Sequence, residues 1–118
     1  MPSVVERVVA PVLTVEAPKV TTANIVHVVG SAVHHRLVRD VFIRVWNRTA
    51  HLPMTKTFYK ANNATGDRST MTFEANVPLW PGSNIIQVIA RESNEIAAVR
   101  TLVVLRRAPE PPAGAAGP

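Results

Sequence analysis

Phe73 to Glu92 reads FEANVPLWPGSNIIQVIARE. Its two halves alternate apolar and polar residues with a period of two. Met71, Phe73, Ala75 and Val77 share one side of the first half. Ile86, Val88 and Ala90 share one side of the second. Between them stands Pro81-Gly82-Ser83-Asn84, a turn signal. The stretch therefore reads strand, turn, strand, each strand with one buried face.

The same logic extends outward in both directions. Upstream, Val38 to Trp46 alternates again: Val41, Ile43 and Val45 face one way, Phe42, Arg44 and Trp46 the other. Further strands are expected at about Val12–Ala17, closed by Pro18, and Asn24–Val29, closed by Gly30. Thr55–Lys60 follows, then a polar turn over Asn62–Ser69 containing Gly66-Asp67. Downstream, Glu92 and Glu95 flank a hairpin turn, and Ile96–Leu105 is the last strand. Val, Ile and Thr dominate these runs, and no helical period holds over three turns. About seven short strands with turns every ten residues or so predict an all-β, immunoglobulin-like two-sheet sandwich, with an open barrel as the rival.

The expected core comprises Val41, Ile43, Val45, Phe73, Ala75, Ile86, Val88 and Val103. In the last strand both alternating sets are apolar. Arg100 favours the Val99-Thr101-Val103-Leu105 set facing inward.

The chain has 118 residues, enough for one domain with a modest core. We expect an N-terminal extension over 1–10, the folded domain over 11–107 and a Pro/Ala/Gly tail over 108–118. Cysteine is absent, which excludes disulfides, thiolate catalysis and Cys-ligated metals. No run approaches the apolar length of a membrane-spanning helix. Met1–Ala10 lacks the apolar core of a signal peptide.

Two motifs carry a family resemblance. The third strand has the form polar-Val-x-Val. The central stretch has the form Leu-x-Pro-Gly-x-Asn-x-Ile-x-Val-x-Ala, here Leu79, Pro81, Gly82, Asn84, Ile86, Val88 and Ala90. Together they resemble a bacterial immunoglobulin-like domain. More narrowly, KTFYKANN (Lys56–Asn63) and the run from Val77 to Arg107 are similar to the domain that follows PDZ in some carboxyl-terminal-processing serine peptidases of myxobacteria and their relatives. Those proteins are exported, and their catalytic Ser and Lys lie in a separate domain. The resemblance thus implies a non-catalytic accessory segment of a longer exported protein, periplasmic or extracellular. Its partners would be neighbouring domains or another protein. A structural or adhesion module of a surface protein is the alternative. In the loop after Gly30, where related domains often carry acids, this chain has His34, His35 and Arg36 before Asp40. An inherited calcium role is therefore not expected.

The residues themselves offer little chemistry. No serine sits in a nucleophile-elbow sequence, and Ser31, His34 and Asp40 read as a polar inter-strand loop rather than a triad. His34 and His35 read as surface residues and His27 as a sheet-face residue, too few and too scattered for zinc. Asp40 is expected to pair with Arg39 or Arg36. No catalytic residue, cofactor or metal is assigned. Arg36, Arg39, Arg44 and Arg48 near Phe42 and Trp46 could suit nucleic acid, but no RNP-type, KH or helix-turn-helix pattern accompanies them. A small nucleic-acid-binding barrel is the second alternative. The candidate interaction face is Phe42, Arg44 and Trp46, combining contact area with directional bonding. Leu52, Pro53 and Met54 lie close enough in sequence to fold over it. Trp80 is expected to pack over the sandwich end. Asn47-Arg48-Thr49 and Asn63-Ala64-Thr65 match the N-glycosylation pattern, which occurs often by chance.

Overall fold

The structure is a computed structural model that describes residues 9–48 and 55–109, of residues 55 and 56 the backbone alone. Leu52, Pro53 and Met54 lie outside the described residues. The strands in chain order are β1 (Val12–Glu16), β2 (Val20–Thr21), β3 (Ile25–Val33), β4 (Asp40–Asn47), β5 (Thr55–Ala61), β6 (Thr70–Pro78), β7 (Gly82–Arg91) and β8 (Ala97–Arg106). They form a three-stranded sheet, β1-β3-β6, facing a five-stranded sheet, β2-β8-β7-β4-β5. All pairings are antiparallel except β2 on β8, which is parallel. The chain changes sheet between β1 and β2, β2 and β3, β3 and β4, β5 and β6, and β6 and β7. This is an immunoglobulin-like sandwich, and the separate sheets exclude the barrel.

The core lies between the sheets. Val41, Ile43 and Val45 of β4 share the inward face with their β7 neighbours Ile86 and Val88, opposite Phe73 among others of the narrower sheet, and all six are buried. Ala75 is half-buried at the core margin. Val103 departs from expectation: it is 49% exposed, whereas Val104 is 1% exposed. β8 therefore turns its even-numbered residues inward. The reason is Arg100. It sits on the inward row, but at the edge of the sandwich, where its Nε donates to the Leu13 carbonyl at 3.1 Å. A guanidinium with a backbone acceptor within reach did not have to point away from the core.

Gly30 also departs from expectation, since β3 runs through it to Val33. A Cβ at Gly30 would fall 2.5 Å from the Thr14 carbonyl oxygen and into the Phe73 ring. The glycine leaves room for the ring inside a continuous strand and does not end it. At the other turn signal, Gly82 takes φ of 95° and opens β7, so the strand starts earlier than the sequence suggests. β2 is too short to have a hydrophobic period, and no alternation announces it.

Two asparagines close the strand ends. Asn84 is fully buried; its Oδ1 accepts from Trp80 N at 3.0 Å and its Nδ2 donates to Trp80 O at 2.8 Å. It thus serves the β6–β7 connection as a strand partner would. Asn62, 5% exposed, donates to Val38 O at 2.8 Å and accepts from Ala64 N at 3.2 Å. Trp80 is half-buried against the core beside its turn, as expected.

Two substitutions test this packing in denaturant unfolding. Ile86→Ala should cost about 2–5 kcal/mol through lost burial and a cavity, while Val103→Thr stays within about 0.5 kcal/mol. Gly30→Ala should cost roughly 1–3 kcal/mol because the Thr14 backbone must yield. An unchanged midpoint for Gly30→Ala would remove the packing role given to that position.

Candidate interaction face

β4 is the second strand from the edge of the five-stranded sheet, so its outward residues have neighbours on both sides. Three cross-strand rows result. Phe42 lies between Tyr59 and Ile89, with Val99 beyond. Arg44 lies between Thr57 and Gln87, with Thr101 beyond. Trp46 stands opposite Ile85, with Val103 beyond. The outer face is therefore two apolar rows flanking one polar row, with Arg44 in the middle row. Phe42 and Trp46 are half-buried and Arg44 is exposed. Tyr59, Val99 and Val103 are 58%, 52% and 49% exposed, more apolar surface than an outer sheet face needs.

One end of this face is built around a buried carboxylate. Asp40 is 1% exposed. Arg91 clamps it with two bonds of 2.7 Å, from Nε to Oδ1 and from Nη2 to Oδ2. Tyr59 Oη donates to Oδ2 at 3.1 Å, and Arg39 Nε lies 3.4 Å away while its Nη2 donates to Asn94 at 2.8 Å. The main partner is thus Arg91, far away in sequence, rather than Arg36; the expected Arg39 contact is present but secondary. The same Arg91 guanidinium lies over the Phe42 ring at 4.5 Å, and the Tyr59 ring lies 4.8 Å from it. Phe42 is therefore held in place on two sides, and part of its burial comes from these residues.

Hydrogen bonds from Arg91, followed by the Tyr59 hydroxyl, hold the Asp40 carboxyl below its ordinary range, and burial acts in the opposite sense. The same contact pushes the Tyr59 hydroxyl and the Arg91 guanidinium up.

The other sequence candidates are placed apart from this face. His34 is 4% exposed, a correction to its reading as a surface residue. Its Nε2 meets Val9 O at 2.7 Å, and its Nδ1 accepts from Arg36 N at 3.1 Å and Leu37 N at 3.3 Å. The ring is a loop organiser, with the His35 ring tilted beside it at 4.3 Å. Since His34 spends both nitrogens on backbone and Asp40 spends both oxygens on Arg91, Ser31, His34 and Asp40 do not form a triad. His27 lies on the outer face of the three-stranded sheet, bonded to Asn76 at 2.8 Å and Glu74 at 3.2 Å. Among the described residues no group of three or more His, Cys, Asp or Glu could hold a metal. Asn47 is buried and its amide donates to Pro81 O at 3.1 Å, so that glycosylation match lies inside the fold. Sequence reasoning missed Ile85, Ile89, Val99 and Val103 as parts of the face. The odd-numbered register of Ile85-Gln87-Ile89 was the available signal, but only strand order sets it beside Phe42 and Trp46.

Asp40→Asn should destabilise by roughly 3 kcal/mol, the low end for losing one partner of a buried pair, since Arg91 keeps partial solvent access. A carboxyl with a folded pKa below its unfolded one contributes stability that is present above about pH 4 and lost as pH falls through the folded value. The gap in urea midpoint between the wild type and Asp40→Asn should therefore be smaller at pH 3 than at pH 7. An equal gap at both pH values would remove the charge pair as the cause.

No protein-family model matches the chain. No curated protein matches it either. Among solved structures it is similar to the CARDB domain of a Pyrococcus furiosus protein, crystallised in complex with di-metal ions. The two share 22% identity with a TM-score of 0.44, over 82% of this chain and 89% of that one. The immunoglobulin-like assignment rests on the strand order and pairing described above.

Proposed function

We propose that this domain is a non-catalytic protein-interaction module and that it docks through the outer face of the five-stranded sheet, centred on Phe42, Arg44 and Trp46. The observation that supports this is the row pattern of that face. Arg44 stands among apolar and aromatic rows and has no acidic partner among the described residues. Such a face suits a carboxylate set in an apolar surround on a neighbouring domain or a separate protein. In the finer reading, the domain is an accessory segment of an exported bacterial processing peptidase. That reading is supported by the likeness of Lys56–Asn63 and the Val77–Arg107 run to the domain after PDZ in such enzymes. The module would then position domains or guide a protein substrate, with catalysis elsewhere in the parent chain.

The test mixes the domain with the PDZ–peptidase region encoded in the same reading frame and measures association by sedimentation. Phe42→Ala with Arg44→Glu should weaken association at least tenfold while the folded monomer persists. A double variant that only loses stability would assign these residues to folding alone. A reading frame that encodes tandem copies of this domain and no peptidase would replace the accessory role by a structural or adhesive one. The isolated domain should leave an unfolded protein substrate intact. Cleavage that a single Ser or His substitution abolishes would overturn the non-catalytic reading.

A further inference from the structure

The two sheets have unequal widths, five strands against three, and β5 and β6 are both end strands. They border the same mouth of the sandwich. A cleft of about 210 Å³ opens there, with Ile43, Phe58, Phe73 and Ala75 along its floor and Lys60 and Glu74 at its rim. Phe58 is only half-buried, because the narrower sheet has no strand to lay across it. Lys60 has no salt bridge among the described residues.

Two bonds beyond the ladder reveal what the β6 edge presents. His34 N donates to Ser69 O at 2.8 Å, and Leu79 N donates to Asn24 O at 2.9 Å. Both continue the β3–β6 register, in which Ile25 pairs with Pro78 and Val33 with Thr70. The odd-numbered residues of β6 therefore exchange bonds with β3. By the alternation of an antiparallel ladder, the N–H and C=O of Thr70, Thr72, Glu74 and Asn76 point to the open edge. Pro78, without an N–H, ends that row.

We infer that this edge accepts an extended peptide as a fourth strand of the narrower sheet. The main-chain groups of β6 bind its backbone. Its alternate side chains enter the cleft over Phe58, so those positions are apolar. An acidic residue among them meets Lys60, in keeping with the chain's net charge of +5. A second copy does not fit here through its own β6. The wider sheet of each copy extends beneath the position that the other's β6 would take. A single strand with no sheet behind it meets no such obstacle. This site is separate from the Phe42–Trp46 face and does not depend on it.

The probes are blocked nonapeptides of alternating threonine and valine, with the central residue of the valine register replaced by glutamate in one and by lysine in the other. Titrated into the ¹⁵N-labelled full chain, the glutamate peptide should give saturable shifts around residues 29–31, 58–61 and 70–76. It should bind at least tenfold more tightly than the lysine peptide. Thr72→Pro removes an N–H that β3 does not use and should weaken binding at least tenfold. N-methylating the peptide amides that face β6 should do the same with the protein untouched, so the test survives a Thr72→Pro variant that fails to fold. Lys60→Glu should reverse the preference between the two peptides. Phe42→Ala with Arg44→Glu should leave peptide affinity unchanged. Absence of saturable binding, binding indifferent to N-methylation, or shifts confined to the Phe42–Trp46 face would overturn the proposal. So would a concentration-dependent dimer abolished by Thr72→Pro, which would place a second copy at this edge.

Discussion

The pairing of β4 with β7 sets which side chains are core and which are surface. A slip of one residue would turn Val41, Ile43 and Val45 outward and bring Phe42, Arg44 and Trp46 into the core. Two polar contacts hold the register, one at each end of the pair. At one end Asp40 stands opposite Arg91, and the two are joined by paired bonds of 2.7 Å. At the other Asn47 stands opposite Asn84, with Asn47 Nδ2 donating to Asn84 Oδ1 at 3.4 Å. Each contact is specific in geometry, as the apolar pairs between them are not. A shifted register would part the buried Asp40 carboxylate from Arg91 and the buried Asn47 amide from Asn84 and Pro81, an outcome far costlier than imperfect apolar packing.

The same two contacts shape the surfaces. Arg91 clamps Asp40 and also covers Phe42, so the force that fixes the register also orients an aromatic of the outer face. Tyr59 joins the cluster from β5 through its hydroxyl and packs its ring beside Phe42. Stability and presentation are therefore coupled at this end of the sheet. At the far end, the Asn84 amide bonds both the N–H and the C=O of Trp80, fixing the turn that carries the chain from β6 into β7 of the other sheet.

Unequal sheet width is the second governing constraint. Five strands cannot be covered by three, so the margins stay open. On one margin Arg100 reaches the β1 backbone and partly closes the gap. On the other, between β5 and β6, the gap remains lined by core residues and by an edge of unshared main-chain groups. Edge strands of this length are commonly blunted by charge or proline. Here Lys60 and Glu74 stand at the rim, and Pro78 lies at the last residue of β6.

Much of this was legible in the sequence. Period-two alternation in Val38–Trp46, Met71–Val77 and Ile85–Ala90 determined three strands, their inward residues and the all-β class. That is because a half-buried strand must alternate, whatever it pairs with. The side of β4 that carries Phe42, Arg44 and Trp46 followed from the same rule. Tertiary structure decided the rest. In β8 both alternating sets are apolar, so local pattern had no preference, and a carbonyl offered by β1 settled the orientation of Arg100. Gly30 looks like a strand end until Phe73 arrives from another strand to use its missing side chain. Asp40 and His34 carry no local sign of burial, since Arg91 lies 51 residues from the one and the Val9 carbonyl 25 residues from the other. Alternation reports a strand's two faces; only strand order reports what stands beside them.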